Sequence, residues 1–132
     1  MIVVDASITV GWLLIEEEAA STRGLYDQVL RSGIAAPAIF KIEVANALRS
    51  ALRRKTITLN GRDEALAAFT RMTIYDDEQP SLADIVAVSD RHDLTVYDAS
   101  YVALAKLRVL PIATLDAAMA RAARAEDLAV LP

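Results

Sequence analysis

Short apolar runs of three or four residues recur along this chain, each separated from the next by one or more long helical patterns. Ile2 to Val4, Ile34 to Ala36, Met72 to Tyr75, Pro111 to Thr114 and Leu128 to Leu131 read as strands. Strands joined through helices return to the same edge before each new strand begins. The pattern therefore calls for an α/β fold with a short-stranded, mainly parallel sheet and helices on both faces.

Helical patterns fill the intervals. The first runs from Ser7, as N-cap, to about Glu18, and a second from roughly Ala20 to Arg31, where Ser32-Gly33 stops it. Ala38 to Lys55 is the longest. An Asn60-Gly61 turn precedes a helix from about Arg62 to Arg71. Ser81-Leu82-Ala83-Asp84 has the form of a capping box and opens a helix to about His92. Asp98 to Arg108 and Ala117 to Glu126 complete the set, and Thr95 to Tyr97 reads equally as strand or loop.

With 132 residues the expectation is one domain, residues 1–132, large enough for a proper core. Hydrophobic residues make up 55% of the chain and aromatics only 5%, which suits a sheet covered on both faces and disfavours disorder. There is no cysteine, so disulfides and thiolate metal sites are excluded. The first residues lack the basic region of a signal peptide, and no apolar stretch reaches the ~18 residues of a membrane span. A cytoplasmic protein is expected. The formal net charge of −4 argues against general coating of nucleic acid, which needs basic surface. It argues less against a nuclease, because bound divalent cations reverse the local field.

In an open parallel sheet, ligands bind beyond the carboxyl ends of the strands. Asp5 directly follows the first strand, Asp116 comes two residues after Thr114, and Asp98 opens a helix after an extended segment. Glu43 lies in the first half of the long helix between Ile42 and Val44, where its charge needs compensation by a metal or an ion pair. Each has a plainer reading. Asp98 suits a helix N-terminus, Asp116 an N-cap, and Glu43 an ordinary part-exposed helix position. The case rests on the set.

Four segments carry a resemblance. Val3-Val4-Asp5-Ala6-Ser7, Pro37 through Glu43-Val44-Ala45-Asn46-Ala47-Leu48, Tyr97-Asp98-Ala99-Ser100-Tyr101-Val102-Ala103-Leu104-Ala105 and Thr114-Leu115-Asp116 resemble, in order and spacing, the motifs of PIN-domain proteins. The similarity is greatest to the VapC-type toxins of VapBC toxin–antitoxin pairs and spans essentially the whole chain. It implies a three-layer α/β/α fold and an acidic pocket in which Asp5, Glu43, Asp98 and Asp116 hold Mg²⁺ or Mn²⁺ and carry catalysis. Ser7 and Thr114 match hydroxyl positions of that pocket, and Asn46 a polar neighbour of the glutamate. Positions near Met119 that are sometimes acidic in the family are not acidic here, which leaves room for a single-metal site.

The implied activity is internal cleavage of RNA, leaving 5′-phosphate and 3′-hydroxyl ends. A cognate antitoxin and a homodimer are implied as partners, with no membrane. Oxygen ligands suit hard ions, and one ion activates water while a second, at about 4 Å, relieves charge on the leaving oxygen. Crowded carboxylates raise one another's pKa values, which is itself a reason to expect metal dependence.

Other features read more plainly. Arg49, Arg53, Arg54 and Lys55 suit the negative end of a helix dipole, and Arg121 and Arg124 a solvated surface. Glu16-Glu17-Glu18 and Asp76-Asp77-Glu78 read as solvated charge runs. His92 is the only histidine, so a histidine-rich zinc site is excluded, and its place near a helix end suits dipole interaction or surface exposure. Trp12 reads as core, with a partner groove as the alternative.

Two rival functions differ in kind. A phosphoacceptor receiver domain needs an acidic pair after the first strand and a lysine after the last, and here there is one Asp and no Lys in Leu128 to Pro132. A DxD-type phosphatase is disfavoured because Ser7 stands two residues after Asp5. A PIN-like binding module without turnover is the other reading, and the intact acidic set argues against it.

Overall fold

A computed structural model of the chain describes residues 1–15 and 22–132. Five strands form one sheet: β1 (Ile2–Val4), β2 (Ile34–Ala35), β3 (Ile74–Tyr75), β4 (Ile112–Ala113) and β5 (Val130–Leu131). Every pairing is parallel and the spatial order is β3-β2-β1-β4-β5. The chain thus builds outwards from β1 on one side, then returns to place β4 on the other. That reversal between β1 and β4 is the switch point at which such sheets leave a crevice for ligands.

Successive strand side chains point to opposite faces. Ile2, Val3 and Val4 are all fully buried, so both faces of the central strand are covered. This is the α/β/α layering expected from the sequence. Seven helices among the described residues supply the cover: α1 (Ala6–Leu14), α2 (Arg23–Ser32), α3 (Phe40–Arg53), α4 (Leu59–Thr70), α5 (Leu82–His92), α6 (Val96–Arg108) and α7 (Ala117–Ala125). Helices α1, α3 and α4 pack together, as do α5, α6 and α7. Among the described residues no helix is long and apolar enough to cross a membrane.

Local chemistry explains most boundaries. Gly33 ends α2 at φ +80°, and a Cβ there would come within 2.5 Å of the Tyr75 ring, so only glycine suits the position. Ser81 caps α5 by accepting from the Asp84 N–H at 3.1 Å. Thr95 caps α6 in the same way, accepting from the Asp98 N–H, which resolves the ambiguous Thr95 to Tyr97 stretch as the start of a helix.

Some boundaries differ from expectation. Asp5, rather than Ser7, is the N-cap of α1: it sits one residue before the helix and accepts from the Ile8 N–H at 2.9 Å. Asn60-Gly61 is not a turn but lies inside α4, because Thr58 captures the Gly61 N–H and starts the helix earlier. α1 stops at Leu14, with Ile15 extended as its C-cap, before the expected end near Glu18; the expected start at Ala20 and the Glu16-Glu17-Glu18 run lie outside the described residues.

Trp12 belongs to the core, its ring tilted against Tyr26 with centroids 5.1 Å apart and its indole N–H donated to Thr22 Oγ1 at 2.6 Å. His92 is not simply at the surface. It is partly buried against Glu126 at 2.9 Å, and Arg91 and Lys106 bind the same carboxylate. This cluster ties the C-terminal ends of α5 and α6 to that of α7. Arg49, Arg53, Arg54, Lys55, Arg121 and Arg124 are all exposed.

Candidate functional site

Beyond the carboxyl ends of β1 and β4, a cavity of about 140 Å³ is lined by Asp5, Ala6, Ser7, Glu43, Asp98, Tyr101, Asp116 and Met119. All four acidic residues singled out in the sequence therefore face one space. Each arrives by a different route: Asp5 from the end of β1, Glu43 from the first turn of α3, Asp98 from the first turn of α6, and Asp116 from the N-cap of α7. A larger hollow of about 550 Å³ between α1 and α3, lined in part by Leu14, Ala51 and Ile57, holds none of the four. Its size carries less weight than the chemistry gathered in the smaller one.

Asp5 is the most constrained of the set, at 4% exposure. One carboxylate oxygen accepts from Ser7 Oγ (3.0 Å) and the Ile8 N–H (2.9 Å); the other accepts from Thr114 Oγ1 at 2.5 Å. Three donors thus satisfy the buried charge without a neighbouring cation. Thr114 also accepts from the Asp116 N–H at 3.0 Å, and Asp116 accepts from Met119 N–H at 2.7 Å. The plain reading of Asp116 as an N-cap is correct, and its carboxylate lines the cavity as well.

Glu43 and Asp98 are held above the ordinary carboxylate range. For Glu43 burial is the main cause, followed by the hydrogen bond from Tyr101, which acts in the opposite sense, and then repulsion from Asp98 and Asp5. For Asp98 burial again leads, with repulsion from Asp116 and Asp5 outweighing what Thr95 offsets. The four groups therefore sense one another electrically. Among the described residues, however, no three acidic or histidine side chains converge as a ready-made coordination group. An all-oxygen set of this kind suits a hard ion that keeps much of its water and takes only one or two carboxylates directly.

The supporting residues divide. Ser7 lines the cavity and braces Asp5; Thr114 braces Asp5 from below. Asn46 is exposed and does not line the cavity. Tyr101 had no role in the sequence reading. Its hydroxyl donates to Glu43 Oε1 at 2.7 Å, and burial and that bond push its own pKa far up. The signal was its spacing, three residues after Asp98 on one helix face.

Two solved structures share this architecture. PAE2754 from Pyrobaculum aerophilum is similar over 98% of this chain and 81% of its own, with 20% identity and a TM-score of 0.71. FitAcB from Neisseria gonorrhoeae is similar over 100% of this chain and 97% of its own, with 20% identity and a TM-score of 0.61. At such identity the likeness is one of fold. No curated protein matches the sequence significantly. The sequence does match the PIN domain family over residues 2–125, nearly its whole length, and the chain belongs to that family.

Proposed function

We propose that this protein is a metal-dependent endoribonuclease, the VapC-type toxin of a type II toxin–antitoxin pair, acting as a single domain over residues 1–132. PIN domains are generally nucleases that work with divalent metal ions. The observation that carries the proposal is the gathering of Asp5, Glu43, Asp98 and Asp116 around one cavity at the sheet's switch point. These residues would hold Mg²⁺ or Mn²⁺. Bound there, the ion supplies water activation and charge relief at a phosphodiester.

The chain's own part is placement. Asp5 is fixed by three donors at the base of the cavity. Glu43, Asp98 and Asp116 surround it from three helices, so a phosphate can approach only where their charge is neutralised. Without a cation the acidic cavity repels the RNA backbone, which makes substrate binding conditional on metal. The products expected are 5′-phosphate and 3′-hydroxyl ends. A cognate antitoxin, a homodimer and a cytoplasmic location belong to the same proposal, on the strength of the VapC-type motifs.

The test is cleavage of total cellular RNA with Mg²⁺ or Mn²⁺, comparing wild type, Asp5→Asn and an EDTA control, with the ends mapped. Metal-dependent cuts at defined sites, lost in Asp5→Asn, are expected. A folded, antitoxin-free protein that binds metal and cuts nothing would sink the ribonuclease reading in favour of a binding module.

A further inference from the structure

We propose that Tyr101 is a positioning residue that fixes the Glu43 carboxylate for the metal. The inference rests on the metal site proposed above and assigns it a neutral buried support.

Glu43 is poorly anchored by its own helix. Ile39, at the N-cap of α3, makes no side-chain capping bond, and among the described residues Glu43 forms no ion pair. What holds its side chain is the Tyr101 hydroxyl, which donates to Oε1 at 2.7 Å. The donor itself cannot wander. Tyr101 is 1% exposed, and its ring meets Phe40 edge-on with centroids 6.5 Å apart. Phe40 lies three residues before Glu43 on α3, so ring and carboxylate are gripped along one helix face. One side chain on α6 thereby holds the first turn of α3.

The chemistry of the donor matters. A phenol has a single proton to give. It occupies one acceptor site of Oε1 and leaves the remaining sites of the carboxylate for a cation. A lysine or arginine in this position would fix the carboxylate equally well but cancel the charge that attracts a cation. Tyrosine fixes it and leaves the charge intact. Supports of this kind around metal ligands typically change metal affinity by about 10–100-fold when removed.

The experiment uses Tyr101→Phe, which keeps the ring and deletes only the hydroxyl. Mn²⁺ binding is measured by calorimetry for wild type, Tyr101→Phe, Glu43→Ala and the double variant, alongside circular dichroism and melting in EDTA. Tyr101→Phe is expected to fold like wild type and to bind Mn²⁺ about 10–100-fold more weakly. Its kcat returns towards wild type at saturating Mn²⁺. In the Glu43→Ala background the same change is expected to cost less than about 2-fold, because the tyrosine acts through that glutamate alone. Tyr101→Phe binding Mn²⁺ as tightly as wild type, or losing as much in the Glu43→Ala background as in the wild type, would overturn the assignment while leaving the metal site standing. Wild-type protein that binds no Mn²⁺ overturns both.

Discussion

The Thr114 hydroxyl donates to Asp5 Oδ2 at 2.5 Å across 109 residues of sequence, and Thr114 Oγ1 in turn accepts from the Asp116 N–H. One hydroxyl at the end of β4 thus fixes the carboxylate at the end of β1 and the cap of α7. Thr114→Val keeps the shape and removes both bonds. It leaves a buried carboxylate oxygen and a backbone N–H short of a partner, for an expected loss of about 2–3 kcal/mol in urea denaturation. Thr114→Ser retains the hydroxyl and is expected to recover most of it. Equal stability of the valine and serine variants would refute this account.

Burial and then repulsion raise the pKa values of Glu43 and Asp98, so without metal these two groups bind more protons in the folded protein than in the unfolded chain. Their ionisation therefore opposes folding: stability falls as pH rises from the unfolded values through the raised folded ones. Two outcomes follow. Asp98→Asn in EDTA at pH 7 is expected to melt higher than wild type, by under about 1 kcal/mol because the site is partly solvated. Mn²⁺ is expected to raise the melting temperature of wild type strongly at pH 7 and little in acid, where both groups are protonated. A metal shift that is flat with pH contradicts this.

Glu126 behaves in the opposite sense. Lys106 and His92, then Arg91, hold its pKa down at about 2, against an ordinary 4.5. A depressed carboxylate contributes stability that is complete above its unfolded pKa and disappears as pH falls towards the folded one. Its side chain is 9% exposed, but Arg91 and Lys106 are about half solvated. Glu126→Gln is accordingly expected to cost about 1–2 kcal/mol between pH 6 and 8. The difference from wild type should shrink between pH 4.5 and 2, which thermal melts at stepped pH would reveal.

Val109 closes α6 at φ 53°, a left-handed conformation that β-branched residues resist, and its side chain is 84% exposed. Val109→Gly relieves that strain while loosening the unfolded chain. The net gain expected is about 0.5–1 kcal/mol. A destabilised glycine variant in chemical denaturation would show that the valine makes contacts of greater worth.

Asn46 points away from the acidic cavity, on the exposed side of α3. Asn46→Ala is expected to alter RNA cleavage by less than about 2-fold, within the range of ordinary surface changes. Ser7→Ala, which removes a donor to Asp5, should be the more damaging of the two in a side-by-side kinetic comparison.

Much of this was legible in the sequence because period and spacing are local. The β-branched runs at Ile2 and Ile34 stand where the patterns put them. Asp5 and Asp116 meet because strand-end positions in a parallel sheet share an edge, and Glu43 and Asp98 join them from the first turns of α3 and α6. What escaped depended on which atom reaches which partner. Ser7 and Asp5 are both good caps, and only geometry shows that Asp5 takes the Ile8 N–H while Ser7 serves Asp5. Asn60-Gly61 looks like a turn until Thr58 is seen to capture Gly61 N–H. The α6 helix ends on Val109 with no glycine to announce it. His92 finds Glu126 across 34 residues, a pairing no periodicity encodes.

The sheet order has a consequence for synthesis. β1 is the first strand made, yet it is central, and one of its two neighbours, β4, does not exist until residue 112. Thr114 and Asp116 come with it. A chain emerging from the ribosome therefore carries Asp5 without the Thr114 hydroxyl and three acidic residues without the fourth. On the proposed reading the cutting centre assembles only after β4 and the N-cap of α7 have been made, so a chain that stops short of residue 116 has no complete site.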